Sequence, residues 1–154
     1  WVIPHSGEAK FSGWGSYDQS KTLVIEIGRN ASTNQSYAIG NLDWSVYYGG
    51  TNDDDFNDIV SDINNNIYAV GTTTSINFPI TSGVIQTTNG GALDAMIVSF
   101  DFIGVQRWAT YVGGSSDERG RGIAVSNDYV YIVGNTSSIS NFPTKDPGNS
   151  AYLD

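Results

Sequence analysis

Trp44-Ser45-Val46-Tyr47-Tyr48-Gly49-Gly50 is followed by Asp53, then by Ile67-Tyr68-Ala69-Val70-Gly71, then by Asn77-Phe78-Pro79. Further on, Trp108-Ala109-Thr110-Tyr111-Val112-Gly113-Gly114 is followed by Asp117, then by Val130-Tyr131-Ile132-Val133-Gly134, then by Asn141-Phe142-Pro143. The tryptophans, the Gly-Gly pairs and the Phe-Pro pairs each recur after 64 residues. A one-residue shortening before Gly134 is cancelled by one extra residue before Phe142. A repeat of this length implies units that cannot bury their faces alone and must stack on neighbours. It speaks to architecture far more than to chemistry.

Four apolar runs fall within one full repeat. Residues 58–63 and 67–71 read as a hairpin turned at Asn64-Asn65-Asn66, since Asn tolerates the left-handed backbone of tight turns. Residues 94–100 and 105–112 read as a second hairpin, turned near Ile103-Gly104. Residues 120–126 and 129–134 read as a third, turned at Asn127-Asp128. Upstream, 22–27 and 41–48 form one more pair, separated by a polar insertion at 29–37. Ile123 and Val125 alternate with Ala124, and Tyr131 and Val133 alternate with Val130 and Ile132. Both faces are apolar, which predicts sheets stacked face to face. The stretch between Gly71 and Asp94 has no period and reads as a packed surface loop anchored by Phe78, with Pro79 fixing the backbone behind it.

Composition agrees with many short strands. The 154 residues include 18 glycines, and only 15% are charged. The net charge is −9, with three Lys and four Arg scattered, so nucleic acid and anionic membrane surfaces are poor partners. The absence of Cys excludes disulfides, thiolate zinc sites and cysteine nucleophiles. No run reaches the about 18 apolar residues of a membrane helix. The chain opens on Trp1 rather than Met, which reads as the loss of a leader or of a longer N-terminal region. Three Asn-x-Ser/Thr triplets, at Asn30, Asn34 and Asn135, are expected by chance in a chain this rich in Asn and Ser.

A four-stranded unit of 64 residues is the signature of a β-propeller blade with one long loop. The run W-x-x-Y-x-G-G-x-x-x-D, then G-I-A-V-S-N-D-Y-V-Y-I-V-G-N-T-S-S, N-F-P-T and G-G-A-L-D-A-M-I-V-S-F, resembles the SBBP family of bacterial β-propeller repeats. The resemblance implies an all-β, partial propeller of about two four-stranded antiparallel blades, in a secreted or cell-surface bacterial protein. It implies no catalytic residue. Residues 1–41 are then a divergent N-terminal part with the outer strand of a preceding blade, 42–143 hold the propeller repeats, and 144–154 begin a further inter-blade loop. By analogy with related propellers, the strand carrying Gly120, Gly122 and Ala124 is innermost and the Trp108 strand outermost. Two blades fall short of the four to eight that close a ring. The chain is therefore read as a piece of a longer one, whose other blades are its partners, with closure by several copies as the second reading. Alone, it is expected to aggregate, bind hydrophobic dye or assemble.

Candidate chemistry is sparse. Asp53, Asp54, Asp55 and Asp58 resemble a hard-cation cluster, so Ca²⁺ is the one cofactor considered. The next repeat offers Asp117-Glu118-Arg119 there, with Gly122 facing Asp58, so only Asp53/Asp117 is shared. The preferred reading is an Asp that caps a turn by accepting backbone N–H bonds. Trp44 with Tyr47 and Trp108 with Tyr111 are candidate sugar platforms, but their recurrence favours packing and predicts largely buried indoles. Trp1 and Trp14 lie outside the repeat and are the better ligand candidates. His5 is the sole His, and no nucleophile, phosphate-loop or metalloprotease motif is present. The expected function is a non-catalytic scaffold presenting loops to a protein or glycan, with 29–37 and 81–91 as contact surfaces. The alternative is a carbohydrate-active, hydrolytic domain with carboxylates around an axis.

Overall fold

The computed structural model describes residues 22–27, 42–127 and 129–144. The strands are β1 (Thr22–Ile27), β2 (Leu42–Tyr48), β3 (Asp54–Ser61), β4 (Ile67–Thr73), β5 (Asp94–Phe100), β6 (Gln106–Val112), β7 (Glu118–Ser126) and β8 (Tyr129–Thr136). There is no helix among the described residues. β3-β4-β5-β6 form one antiparallel sheet, flanked by the two-stranded sheets β1-β2 and β7-β8. The four runs of the repeat thus make one blade, as the spacing predicts. The sheets are open, and the fold is an all-β partial propeller.

The turns follow from side-chain chemistry. Asp62 Oδ1 accepts the N–H groups of Asn64 (2.8 Å) and Asn66 (2.9 Å), and Asn65 takes the left-handed conformation at φ 60°. Asp101 Oδ1 accepts from Ile103 (3.0 Å) and Val105 (2.8 Å), with Gly104 at φ 84°. The same loop is built twice on different residues. Each aspartate satisfies two amides that the tight turn strands. Asn127 turns the third hairpin at φ 52°.

Period-two alternation sends residues to two separate cores. Ile67, Ala69, Met96, Val98, Phe100, Ala109 and Tyr111 form one, with Tyr48 and Phe78 added and Trp44 and Val46 of β2 packed against it. Val70, Ala95, Ile97 and Val112 form the other, met by Ile123 of β7 and Ile132 of β8. β5 is buried along its whole length because both faces are covered. The pattern explains why its sequence reads as a continuous apolar run.

β3 begins at Asp54, four residues before the predicted start, and β7 begins at Glu118. Hydropathy ends a strand at its polar residues, yet here the backbone ladder continues through them to Thr73 and Thr136. Both strands carry an irregularity at the same repeat position, between Phe56 and Asp58 and between Gly120 and Gly122. A bulge bends the strand and leaves its extra residue unpaired. Gly71 has no room for a Cβ against the carbonyl of Asp55, nor Gly134 against that of Arg119.

Neighbouring sheets are also joined by polar bonds. The bulged Asn57 donates from Nδ2 to the carbonyl of Gly120 (2.8 Å), and the N–H of Ile123 donates to Asp58 Oδ2 (2.9 Å). Gly120 lies against Val70 with no space for a side chain. The sheets crowd at Gly120, whereas Ala124 of the same strand is exposed.

The long loop does cover an edge. Thr81 N–H donates to the Ala109 carbonyl (3.2 Å) and Tyr111 N–H to the Gln86 carbonyl (3.2 Å), so the loop runs along the outer side of β6. A strand edge left open is a template for unwanted pairing. Tyr111 clamps the loop from inside, its hydroxyl donating to the Ser75 carbonyl (2.7 Å) and accepting from Phe78 N–H (3.1 Å). Phe78 is buried, as its role of anchor requires, and its counterpart Phe142 is half-buried.

Tyr111→Phe keeps the ring and removes both bonds. Two buried main-chain groups are then left without a partner. We expect a loss of about 1–3 kcal/mol, measured as a shift of the urea midpoint with an unchanged slope.

Candidate functional site

β3, β5 and β7 each begin on an acid: Asp54, Asp94 and Glu118. In each case the carboxylate accepts the N–H of the glycine four residues earlier. The distances are 2.7 Å from Gly50, 2.8 Å from Gly90 and 2.7 Å from Gly114. All three acids are buried. A glycine allows the chain to fold back closely enough for the carboxylate to reach its amide. The acid thus stabilises the sharp entry into the strand by a charge-assisted bond.

Two of these latches use hydroxyls at equivalent repeat positions. Asp54 accepts from the hydroxyls of Thr73 and Ser75, the latter at 3.0 Å. Glu118 accepts from Thr136 (2.6 Å) and Ser138. Ser75 Oγ in turn accepts Asn52 N–H (2.9 Å), and Ser138 Oγ accepts Ser116 N–H (2.8 Å). The third latch is different. Asp94 Oδ2 takes Gln86 Nε2 (3.2 Å), and Gln86 Oε1 accepts Gly113 N–H (3.0 Å), tying the loop to the end of β6. Asp94 Oδ1 is buried and has no hydrogen-bond partner among the described residues.

Titration separates the latches. For Glu118, burial pushes the carboxyl up, but the bonds from Thr136, Gly114 and Ser138 outweigh it and hold it below its ordinary value. For Asp94, burial dominates. The Gly90 bond opposes it, the nearby Glu118 charge adds to it, and the group lies above its ordinary value.

The acidic run at the start of β3 does not act as a unit. Asp54 is buried in its latch, Asp53 and Asp55 are exposed, and Asp58 is half-buried and joined to Ile123. Among the described residues, no group of three or more His, Cys, Asp or Glu could hold a metal ion. The turn-capping acid is the residue after the shared Asp53/Asp117: Asp54 and Glu118. At 53 the shared feature is the backbone, whose carbonyl accepts Thr74 N–H (2.9 Å), as that of Asp117 accepts Ser137 N–H (2.8 Å). Residue identity between the repeats singles out Asp53/Asp117. The signal for the neighbours is chemical equivalence of Asp and Glu, together with Thr73/Thr136 and Ser75/Ser138 downstream, one residue nearer in the second repeat.

Trp44 and Trp108 are half-buried rather than largely buried. Trp44 lies on Phe100 (ring centroids 5.7 Å apart) and against Gly104 of the next sheet. Trp108 packs on Tyr68 (6.1 Å) within its own sheet. Each indole is partly covered by these contacts. Tyr111 is fully buried, whereas Tyr47 is exposed, so no paired aromatic platform forms. Asn135 is an exposed β8 residue whose Oδ1 accepts Arg121 Nε (3.3 Å). Trp1, Trp14, His5, Asn30, Asn34 and the stretch 29–37 lie outside the described residues.

Residues 43–79 match a family model, SBBP, described as a beta-propeller repeat. The matched stretch runs from β2 through β3 and β4 to the Phe78-Pro79 anchor. No curated protein matches the chain.

The two titrations give opposite pH effects. Glu118 is lowered on folding, so its contribution is present above the ordinary carboxylate range and is lost as pH falls through its folded value. Asp94 is raised, so it disfavours the fold increasingly as pH rises from the ordinary range through its folded value. Glu118→Gln is expected to cost about 1–3 kcal/mol at neutral pH and to flatten the acid limb of a stability profile. Asp94→Asn is expected to melt at or above the parent at neutral pH. Thermal melts across a pH series measure both.

Proposed function

We propose that the chain is a non-catalytic binding module of a secreted or cell-surface bacterial protein, holding loops out to a protein or glycan partner. The observation that supports it best is where the buried acids point. Asp54, Asp94 and Glu118 each accept a main-chain N–H, and so does Asp58. A glycoside hydrolase needs two carboxylates facing one substrate bond. These four face the protein's own amides. Stacked sheets make a stiff support, and loops on such supports are where recognition residues gather. The tip of 81–91 offers Ile85 to solvent, while Thr81 and Gln86 hold the loop down.

The hydrolytic reading has its own support in Asp53 and Asp55, whose exposed carboxylates flank the latch. They are also where Ca²⁺ would be sought. A glycan array and a hydrolysis screen, run on the protein and on its Asp53→Asn/Asp55→Asn variant, separate the readings. We expect binding without turnover, and melting unchanged by calcium or chelator. Turnover that disappears in the double variant would make the module an enzyme. A calcium-dependent rise in melting temperature lost in that variant would add a metal.

A further inference from the structure

We propose that the Asn89-Gly90 pair modifies itself: the Gly90 nitrogen closes on the side-chain carbonyl carbon of Asn89, with Asp94 as the base, and water opens the resulting ring to aspartate or isoaspartate. The inference concerns the covalent chemistry of the loop and does not depend on any partner or substrate.

The pair is singular in this chain. Among its asparagines, Asn89 alone precedes a glycine. A following glycine leaves the peptide nitrogen unshielded, because no Cβ stands beside it. Packing demands that glycine here, since a side chain at Gly90 would run into the Gly114 carbonyl. Three glycine amides are latched to the acid that starts a strand. Gly50 and Gly114 follow Gly49 and Gly113, and only Gly90 follows an asparagine.

The parts of an acyl transfer are assembled around this peptide. The nucleophile is the Gly90 nitrogen, whose N–H donates to Asp94 Oδ2 (2.8 Å). A general base must lie within hydrogen-bond reach of the proton it removes. The electrophile is Asn89 Cγ. Its oxygen, Oδ1, accepts the Gly91 N–H (3.1 Å), which folds the side chain back along the Gly90 peptide. The same bond keeps a donor on the atom where negative charge develops. The leaving group is Asn89 Nδ2.

A second observation sets the site apart. Among the described residues, three buried side-chain polar atoms have no hydrogen-bond partner, and two of them are Asn89 Nδ2 and Asp94 Oδ1. Buried polar atoms are nearly always paired, so two orphans on the residues that hold Gly90 need an explanation. An unbonded Oδ1 leaves the Asp94 carboxylate more basic, as does its burial. An unbonded Nδ2 departs without breaking a contact.

Asp94 takes the Gly90 proton as the new C–N bond forms, and passes it to Nδ2, which leaves as ammonia. The five-membered succinimide keeps every other atom, and nothing is oxidised or reduced. Gly90 is exposed, so solvent water reaches the ring. Attack at one carbonyl gives aspartate at position 89. Attack at the other gives isoaspartate, with the main chain rerouted through the former side chain. Either product brings a new carboxylate into the latch of Asp94 and loosens the loop from β5.

Peptide mapping by mass spectrometry, on the 154-residue chain incubated at neutral pH, reads ammonia loss and isoaspartate at position 89. We expect the folded chain to convert faster than the same chain in guanidinium, where base and donor are no longer held beside the pair. Asp94→Asn keeps an oxygen to hold the Gly90 amide but cannot take its proton. That variant is expected to fold with an unchanged circular dichroism spectrum and to convert about a hundredfold more slowly, the worth of a positioned base. Should it fail to fold, the comparison of folded and unfolded parent carries the test alone. A folded parent that converts no faster than the unfolded chain would overturn the proposal. So would a folded Asp94→Asn variant that converts at the parental rate.

Discussion

A carboxylate closed onto a glycine amide starts three of the strands, and the registration of the central sheet and of β7-β8 follows from it. Gly50 with Asp54, Gly90 with Asp94, and Gly114 with Glu118 turn the chain sharply before it enters β3, β5 and β7. The turn fixes which residue is first in the ladder, and so decides which side chains face which core. A slip of one residue would send Met96 and Val98 to the side of the sheet that Ile97 occupies. The Glu118 N–H also donates to the Leu93 carbonyl (2.7 Å), which ties the start of one latch to the end of another. Neighbouring sheets therefore share their registration through a few polar atoms, as well as through apolar burial.

The strands were legible because their alternation and turn residues are local. β5 was read with the bounds it has, and Asn65 and Asn127 marked their turns by the one property a turn needs there, tolerance of positive φ. The start of β3 was not legible. Its first residues are polar, and their pairing depends on Thr73 and Ser75, which are distant in sequence. The latch itself was half visible. A turn-capping acid after Gly-Gly was foreseen, but one residue too early, since an Asp-for-Glu exchange hides equivalence from a comparison of identities. The likeness of β1 to β5 was also hidden. It lies in register and in the slipped step, and Thr22-Leu23-Val24-Ile25 shares only residue character with Ala95-Met96-Ile97-Val98.

The aperiodic stretch between β4 and β5 shows how function and stability divide one loop. Its ends are fastened. Phe78 is in the core, Pro79 accepts from Tyr48 and Gln106, and Gln86 bridges to Gly113. Only the residues between these points are free to vary without disturbing the blade. A loop built this way costs little conformational order at its tip while protecting the β6 edge along its base.

The matched repeat, residues 43–79, begins in the last strand of one sheet and ends beyond the second strand of another. What is copied along the chain is thus a joint, and the sheets arise between joints. Loosening any one copy disturbs two sheets at once, because Trp44 and Tyr48 rest on Phe100 of the sheet that follows them. Unfolding that starts in one sheet must open the contact surface of its neighbour. Such a chain behaves as a row of coupled elements with strong nearest-neighbour terms, and a substitution at a joint is felt in both sheets that it links.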